Sequence, residues 1–159
     1  MNVYGESKAR AEERVLSNNP DALVIRTSAF FSPWDNYNFV FYVTSALNEK
    51  RRIDVLKDVF ISPTYVPDLV HASMDLLIDD EKGIWHLSNE GTVSWSDLAL
   101  EVAVRGKYNS ALLQPVSLGD IQFPARRPTY SALTSKRGVI LPSLDKALDR
   151  YFAEVNMAS

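Results

Sequence analysis

Tyr4 and Lys8 stand four residues apart in the run Tyr4-Gly5-Glu6-Ser7-Lys8-Ala9-Arg10-Ala11-Glu12-Glu13-Arg14-Val15-Leu16, which is rich in straight-chain helix formers. Four residues is about one helical turn, so the spacing puts both side chains on one face, near enough to share a ligand. An ammonium beside a phenol favours the phenolate, and such a pair can hand a proton to a carbonyl oxygen as hydride reaches the carbon. Taken alone, the spacing is more simply read as an amphipathic helix on which Tyr4 packs and Lys8 is solvated.

Other residue types invite similar weighing. Arg51-Arg52 and Arg126-Arg127 are the paired arginines, and a guanidinium fork suits a phosphate. Lys50-Arg51-Arg52 also fits the charged end of a helix. Trp34, Trp85 and Trp95 each offer a face on which a nucleobase could stack. Core packing is the expectation for Trp85 and Trp95, whereas Trp34, between Pro33 and Asp35, belongs to a loop. Tyr65 is assigned to packing. His71 and His86 lie far apart, and neither has a second His or a carboxylate at a metal-ligand spacing, so no metal site is expected. His71 fits a helix surface and His86 an outward strand position. Asp79-Asp80-Glu81-Lys82-Gly83 lacks calcium-loop spacing and reads as a solvated turn.

The elements that must position these groups alternate. A helix opens at Tyr4 and stops at Ser17-Asn18-Asn19-Pro20. Ala22-Leu23-Val24-Ile25-Arg26 is continuously apolar and suits a strand covered on both faces in a parallel sheet. Helices are predicted from Asn38 to Leu47 and from Val66 to about Ile78, the latter with Pro67 in its first turn. Ile84-Trp85-His86-Leu87 predicts a strand. Ser94 three residues before Asp97 predicts a capped helix start, and a last helix spans Ser143 to about Val155. The pattern is α/β. The six glycines, at 5, 83, 91, 106, 119 and 138, form neither G-x-G-x-x-G nor a P-loop.

Composition narrows the function classes. The 159 residues are 46% hydrophobic and 23% charged, with no cysteine and a formal charge of -3. That length fits one compact unit burying roughly two thirds of its unfolded surface. Broad nucleic-acid binding is not expected without a cationic surplus. Disulfides, zinc-cysteine sites and a cysteine nucleophile are excluded. No apolar run approaches the ~20 residues of a membrane span, and the start lacks a signal peptide's apolar centre. A cytoplasmic domain is the expectation.

The opening run resembles the Y-G-x-S-K-x-x-x-E helix of the extended short-chain dehydrogenase/reductases. Further segments follow in order: Ile25-Arg26-Thr27-Ser28, Asn38-Phe39-Val40, Ser62-Pro63-Thr64-Tyr65-Val66-Pro67-Asp68-Leu69-Val70, and Arg127-Pro128-Thr129-Tyr130-Ser131-Ala132-Leu133. Together they resemble the dTDP-4-dehydrorhamnose reductase family over nearly the whole chain. The resemblance implies the last Rossmann helix and strand plus a small α/β substrate-binding subdomain. Residues 1–159 would be the C-terminal, substrate-binding portion of a longer nucleotide-sugar reductase, with the glycine-rich cofactor half, and the Ser/Thr that joins Tyr4 and Lys8 in catalysis, lying upstream.

It also implies reduction of the 4-keto group of a dTDP-linked 6-deoxyhexose by NADP or NAD cofactor in its reduced form. Tyr4 would supply the proton, and Lys8 would assist it and bond the nicotinamide ribose. Arg26, Thr27 and Ser28 would line the cofactor cleft. Asn38 and Arg127 would lie near the substrate diphosphate; Trp34, by its own position in a loop expected over the cleft, is the candidate to stack on the base. The cofactor is not expected to bind tightly to this portion alone, which would be inactive by itself. A homodimer is allowed, and neither nucleic acid nor membrane is an expected partner. Where the family commonly has Trp and then Tyr-Gly, this chain reads Ala29-Phe30-Phe31-Ser32-Pro33-Trp34. The alternatives are a nucleotide-sugar epimerase or dehydratase, and a non-catalytic regulatory subunit of the same fold.

Overall fold

The computed structural model describes residues 2–138 and 141–157. Asn2 starts the first helix: its side chain accepts a hydrogen bond from the Gly5 N–H at 2.8 Å, satisfying one of the donors that a helix start leaves free. Helix α1, Val3–Asn18, ends before Pro20, and a short turn feeds strand β1, Leu23–Arg26. Strand β2, Phe30–Phe31, helix α2, Phe39–Asn48, strands β3, Ile53–Leu56, β4, Phe60–Ile61, and β5, Thr64–Tyr65, and helix α3, Val66–Ile78, follow. The chain then forms β6, Gly83–His86, β7, Asn89–Glu90, β8, Val93–Ser94, and α4, Trp95–Arg105. Strand β9, Leu113–Val116, β10, Leu141–Ser143, and α5, Leu144–Met157, complete it.

Strands pair two by two. β1 runs parallel to β6, with Leu23 opposite Gly83 and Arg26 opposite His86. β2 with β5, β3 with β9 and β7 with β10 are also parallel, and β4 with β8 is antiparallel. The main core joins Val40, Val43 and Leu47 of α2 to Leu98 and Val102 of α4 and Leu148 of α5. A second cluster under β1 and β6 holds Leu76, Trp85, Leu87 and Leu141.

The helices fall where the periodicity places them, with α2 beginning one residue later because Asn38 is its cap. Ser94 and Asp97 form the predicted reciprocal cap of α4. One expectation is corrected: β1 is half-buried along its whole length rather than enclosed on both faces. Leu23 and Ile25 meet the second cluster, while the overlying α1 buries none of its side chains. Trp85 lies in the core, and Trp95 packs its ring edge-on to Phe39 at 4.6 Å. Tyr65 is buried as expected but is also wired into a polar network with Asn89 and Glu154.

Candidate active site

α1 returns along β1, so its first turn lies toward the carboxyl end of that strand, the end at which open α/β sheets place their ligands. There Lys8 Nζ sits 5.5 Å from the centroid of the Tyr4 ring. Tyr4 is 69% exposed. The pair therefore shares one face, as the spacing requires, and that face is open. The adjoining face, about a quarter turn round the helix and carrying Gly5, Ala9, Glu12 and Leu16, is half-buried.

A second wall comes from far along the chain. The Asn2 side-chain amide donates to the Arg126 carbonyl at 3.3 Å, drawing the arginine-bearing segment to the start of α1. That segment is anchored on β4, where Phe60 donates to Thr129 O and accepts from Ser131 N, both at 2.9 Å. The Phe60 and Tyr130 rings lie 6.3 Å apart. The Arg127 guanidinium is exposed over the Phe123 ring at 5.4 Å, in an open groove that Ile121 and Tyr130 also line. Arg127 and the Tyr4–Lys8 pair thus border neighbouring surface.

The end of β1 is less free than the sequence suggests. Arg26 grips Glu12 with a fork, Nε to Oε1 at 2.9 Å and Nη2 to Oε2 at 2.6 Å, and its Nη1 lies 3.3 Å from His86 Nε2. Its contact is to the helix above it. His86, expected to face outward, is instead partly buried, with Nδ1 3.2 Å from the Thr134 carbonyl. Thr27 Oγ1 donates to Thr64 Oγ1 at 3.2 Å, and Ser28 is half-buried beside it. Ala29 then takes a left-handed φ of 40°, and its carbonyl accepts from Thr64 N at 3.0 Å, which joins β2 to β5. Asn38 is buried: its amide donates to Ser32 O and Asp35 O at 3.0 and 2.6 Å while its oxygen caps α2. It braces the loop that presents Trp34, which is 73% exposed.

Hydrogen bonding from Arg26 holds the Glu12 carboxyl below its ordinary range. A lowered carboxylate value means that the ion pair supports the fold fully above the unfolded value and loses that support as pH falls through the folded one. α1 is therefore expected to loosen below about pH 4, ahead of the core. Amide exchange of α1 against α2 along an acid titration checks this, and simultaneous loss of both helices would refute it.

Arg51-Arg52 lies apart from this surface, just beyond the end of α2, with Arg51 over the Tyr42 ring at 5.5 Å. Sequence reasoning missed the aromatic wall of Phe60, Phe123 and Tyr130, which two segments distant in the chain bring together. It also missed the pairing of Glu12 with Arg26, although both letters stood in the quoted motifs.

A family described as the RmlD substrate binding domain matches residues 1–156. The dTDP-4-dehydrorhamnose reductase of Mycobacterium tuberculosis (strain CDC 1551 / Oshkosh) is 35% identical over 136 residues, covering 85% of this chain and 45% of that protein. The crystal structure of dTDP-4-dehydrorhamnose reductase from Bacillus anthracis str. Ames in complex with NADP superposes with a TM-score of 0.89 and 31% identity, over 96% of this chain and 56% of that one. The dTDP-glucose 4,6-dehydratase of the same organism, in complex with NAD, reaches a TM-score of 0.80 at 11% identity, over 99% of this chain and 53% of that one, a likeness of fold alone. The chain spans about half the length of the curated relatives it matches.

Proposed function

The chain belongs to the RmlD substrate binding domain family, and on that premise we propose that it holds the sugar nucleotide in a reductase of dTDP-linked 4-keto-6-deoxy sugars. The observation that carries the proposal is the open Tyr4–Lys8 pair at the carboxyl end of β1. Bound NADPH or NADH supplies the hydride. Tyr4 delivers its phenolic proton to the substrate's O4 as that oxygen gains charge, and Lys8 holds the phenolate that remains.

The residues present fit one end of such a cofactor. Tyr4 and Lys8 are exposed and can meet its ribose and nicotinamide, while the scattered glycines offer no cradle for its diphosphate. A nucleotide-binding half must therefore complete the site, and this chain alone does not turn over. Thr27 and Ser28 border the cofactor side. On the substrate side, the Arg127 guanidinium meets the diphosphate and Trp34 offers a face to the thymine. Asn38 acts by fixing the Trp34 loop. The reductase reading is favoured over an epimerase or dehydratase because relatives above 30% identity carry the reductase name, whereas the dehydratase likeness lies at 11%. Among the described residues no helix is long and apolar enough to cross a membrane, and a cytoplasmic setting suits the chemistry.

Titrating the chain with dTDP-rhamnose is expected to move amide resonances at 2–8, 34–38 and 123–131, with NADPH moving few. Removing the guanidinium in Arg127→Ala should weaken binding by about tenfold or more, the usual worth of a charge-assisted hydrogen bond. Silence towards the sugar nucleotide, or affinity unchanged in Arg127→Ala, contradicts this assignment of the groove.

A further inference from the structure

Within this chain, the helix that carries Tyr4 and Lys8 is lightly held. Among the described residues α1 buries no side chain, and its inner face offers only Gly5, Ala9, Glu12 and Leu16, all half-buried. Gly5, Ala9 and a Leu16 that is only half-buried bring little apolar area out of water, so they set neither the rotation nor the height of the helix tightly. The directional contacts do. Asn2 reaches the Arg126 carbonyl at one end. Nearly three turns along, Glu12 receives both arms of Arg26, and its side chain is only 18% exposed. A two-point fork fixes orientation as well as distance, which a single ammonium would not.

His86 completes the arrangement. Arg26 has only donors, so the facing His86 Nε2 must accept, which leaves the ring proton on Nδ1 to meet the Thr134 carbonyl. The imidazole thereby ties the outer edge of the guanidinium to the 131–135 segment, which Leu133 pins to Ser62. Glu12 on the helix, Arg26 on β1 and His86 on β6 form one chain of contacts across the register pair Arg26–His86.

We infer that Glu12, Arg26 and His86 are positioning residues that set α1 so that Tyr4 and Lys8 face the reacting sugar, without touching it themselves. The inference rests on the reading of Tyr4 as proton donor. Glu12 lies eight residues from Tyr4, about 12 Å along the helix axis, beyond reach of a substrate bound at the phenol. Proton transfer demands heavy atoms within about 2.6–3.2 Å, so a slight roll of α1 would spoil the transfer while leaving the fold intact. Partly exposed ion pairs contribute little to global stability, which separates this role from a structural one.

Two variants test it. Glu12→Gln keeps the shape and loses the charge, and Arg26→Lys keeps the charge and loses the fork. In the chain, amide exchange of residues 6–14 is expected to accelerate about tenfold in both, with α2 and α4 unchanged, as for a local opening. In the reductase assembled with its nucleotide-binding half, kcat should fall on the order of 100-fold with KM for the dTDP sugar held, the scale of a misplacement of about 1 Å. Unchanged protection of α1 in both variants overturns the inference. So does a kcat within about twofold of wild type in both while Tyr4→Phe is inactive, an outcome that leaves the proposed function standing. Full activity of Tyr4→Phe removes the proton donor instead, and the exchange measurement still decides whether the fork anchors the helix.

Discussion

Tyr4→Phe is expected to lower kcat of the assembled reductase by about 10²–10⁴, the range that a positioned general acid supplies, while leaving the domain folded and able to bind dTDP sugar. The ring stays, so the Lys8 ammonium keeps its aromatic neighbour at 5.5 Å. The hydroxyl makes no hydrogen bond among the described residues; the Tyr4 backbone carbonyl accepts from Ser7 Oγ at 2.8 Å. Removing it therefore costs the fold almost nothing and takes only the transferable proton. Lys8→Met should lower kcat as well, and, with Lys8 proposed to meet the cofactor ribose, it should raise KM for NADPH, whereas Tyr4→Phe should not. Steady-state rates on a dTDP-4-keto-6-deoxy sugar, with circular dichroism to verify the fold, make the measurement. A Tyr4→Phe enzyme within about tenfold of wild type would remove Tyr4 from the mechanism.

The face shared by Tyr4 and Lys8 was legible because helical geometry converts a four-residue spacing directly into proximity. The Ser94–Asp97 cap and the Pro67 start of α3 were legible for the same reason: their chemistry is local. Arg26 shows where such reading stops. A cation at the carboxyl end of a strand looks like a ligand group, yet its partner, Glu12, sits on the preceding helix and becomes visible only when the chain doubles back. Asn38 carries a similar lesson, since the residue that caps α2 also consumes both amide donors on its own loop. Strands of two residues, such as Phe30–Phe31 and Val93–Ser94, are too short for any periodicity. β1 misled for another reason: an unbroken apolar run implies two covered faces, while α1 shades its strand without burying a residue of its own.

The segment Thr64-Tyr65-Val66-Pro67-Asp68 is one of those that carry the family resemblance, yet its geometry assigns it to the fold, and Asp68→Ala is expected to show this with the largest stability loss of any single change considered. The Asp68 side chain is 3% exposed, and its Oδ2 accepts from Asn89 Nδ2 at 2.7 Å and from Arg150 Nη2 at 2.5 Å. Asn89 in turn accepts from Tyr65 N at 2.7 Å and donates to Pro142 O at 2.8 Å. The Tyr65 hydroxyl donates to Glu154 Oε1 at 2.8 Å, and burial first, then that glutamate, push the phenol above its ordinary range. One carboxylate thus links α3, β7, β10 and α5. Deleting it strips a buried acceptor from Asn89 and leaves Arg150 unpaired. Breaking a fully buried pair costs about 3–5 kcal/mol, but Arg150 is 43% exposed and can rehydrate, so about 3 kcal/mol is the expected loss. Arg150→Met should cost less than Asp68→Ala, and the double variant should fall short of their sum because the two lose one interaction. Urea unfolding at neutral pH reads all three, and a loss below about 1 kcal/mol for Asp68→Ala would mean the network is decoration. Because no member of the network is Tyr4, Lys8 or Arg127, kcat per folded molecule should hold while the folded fraction falls, which is the reverse of the Tyr4→Phe result.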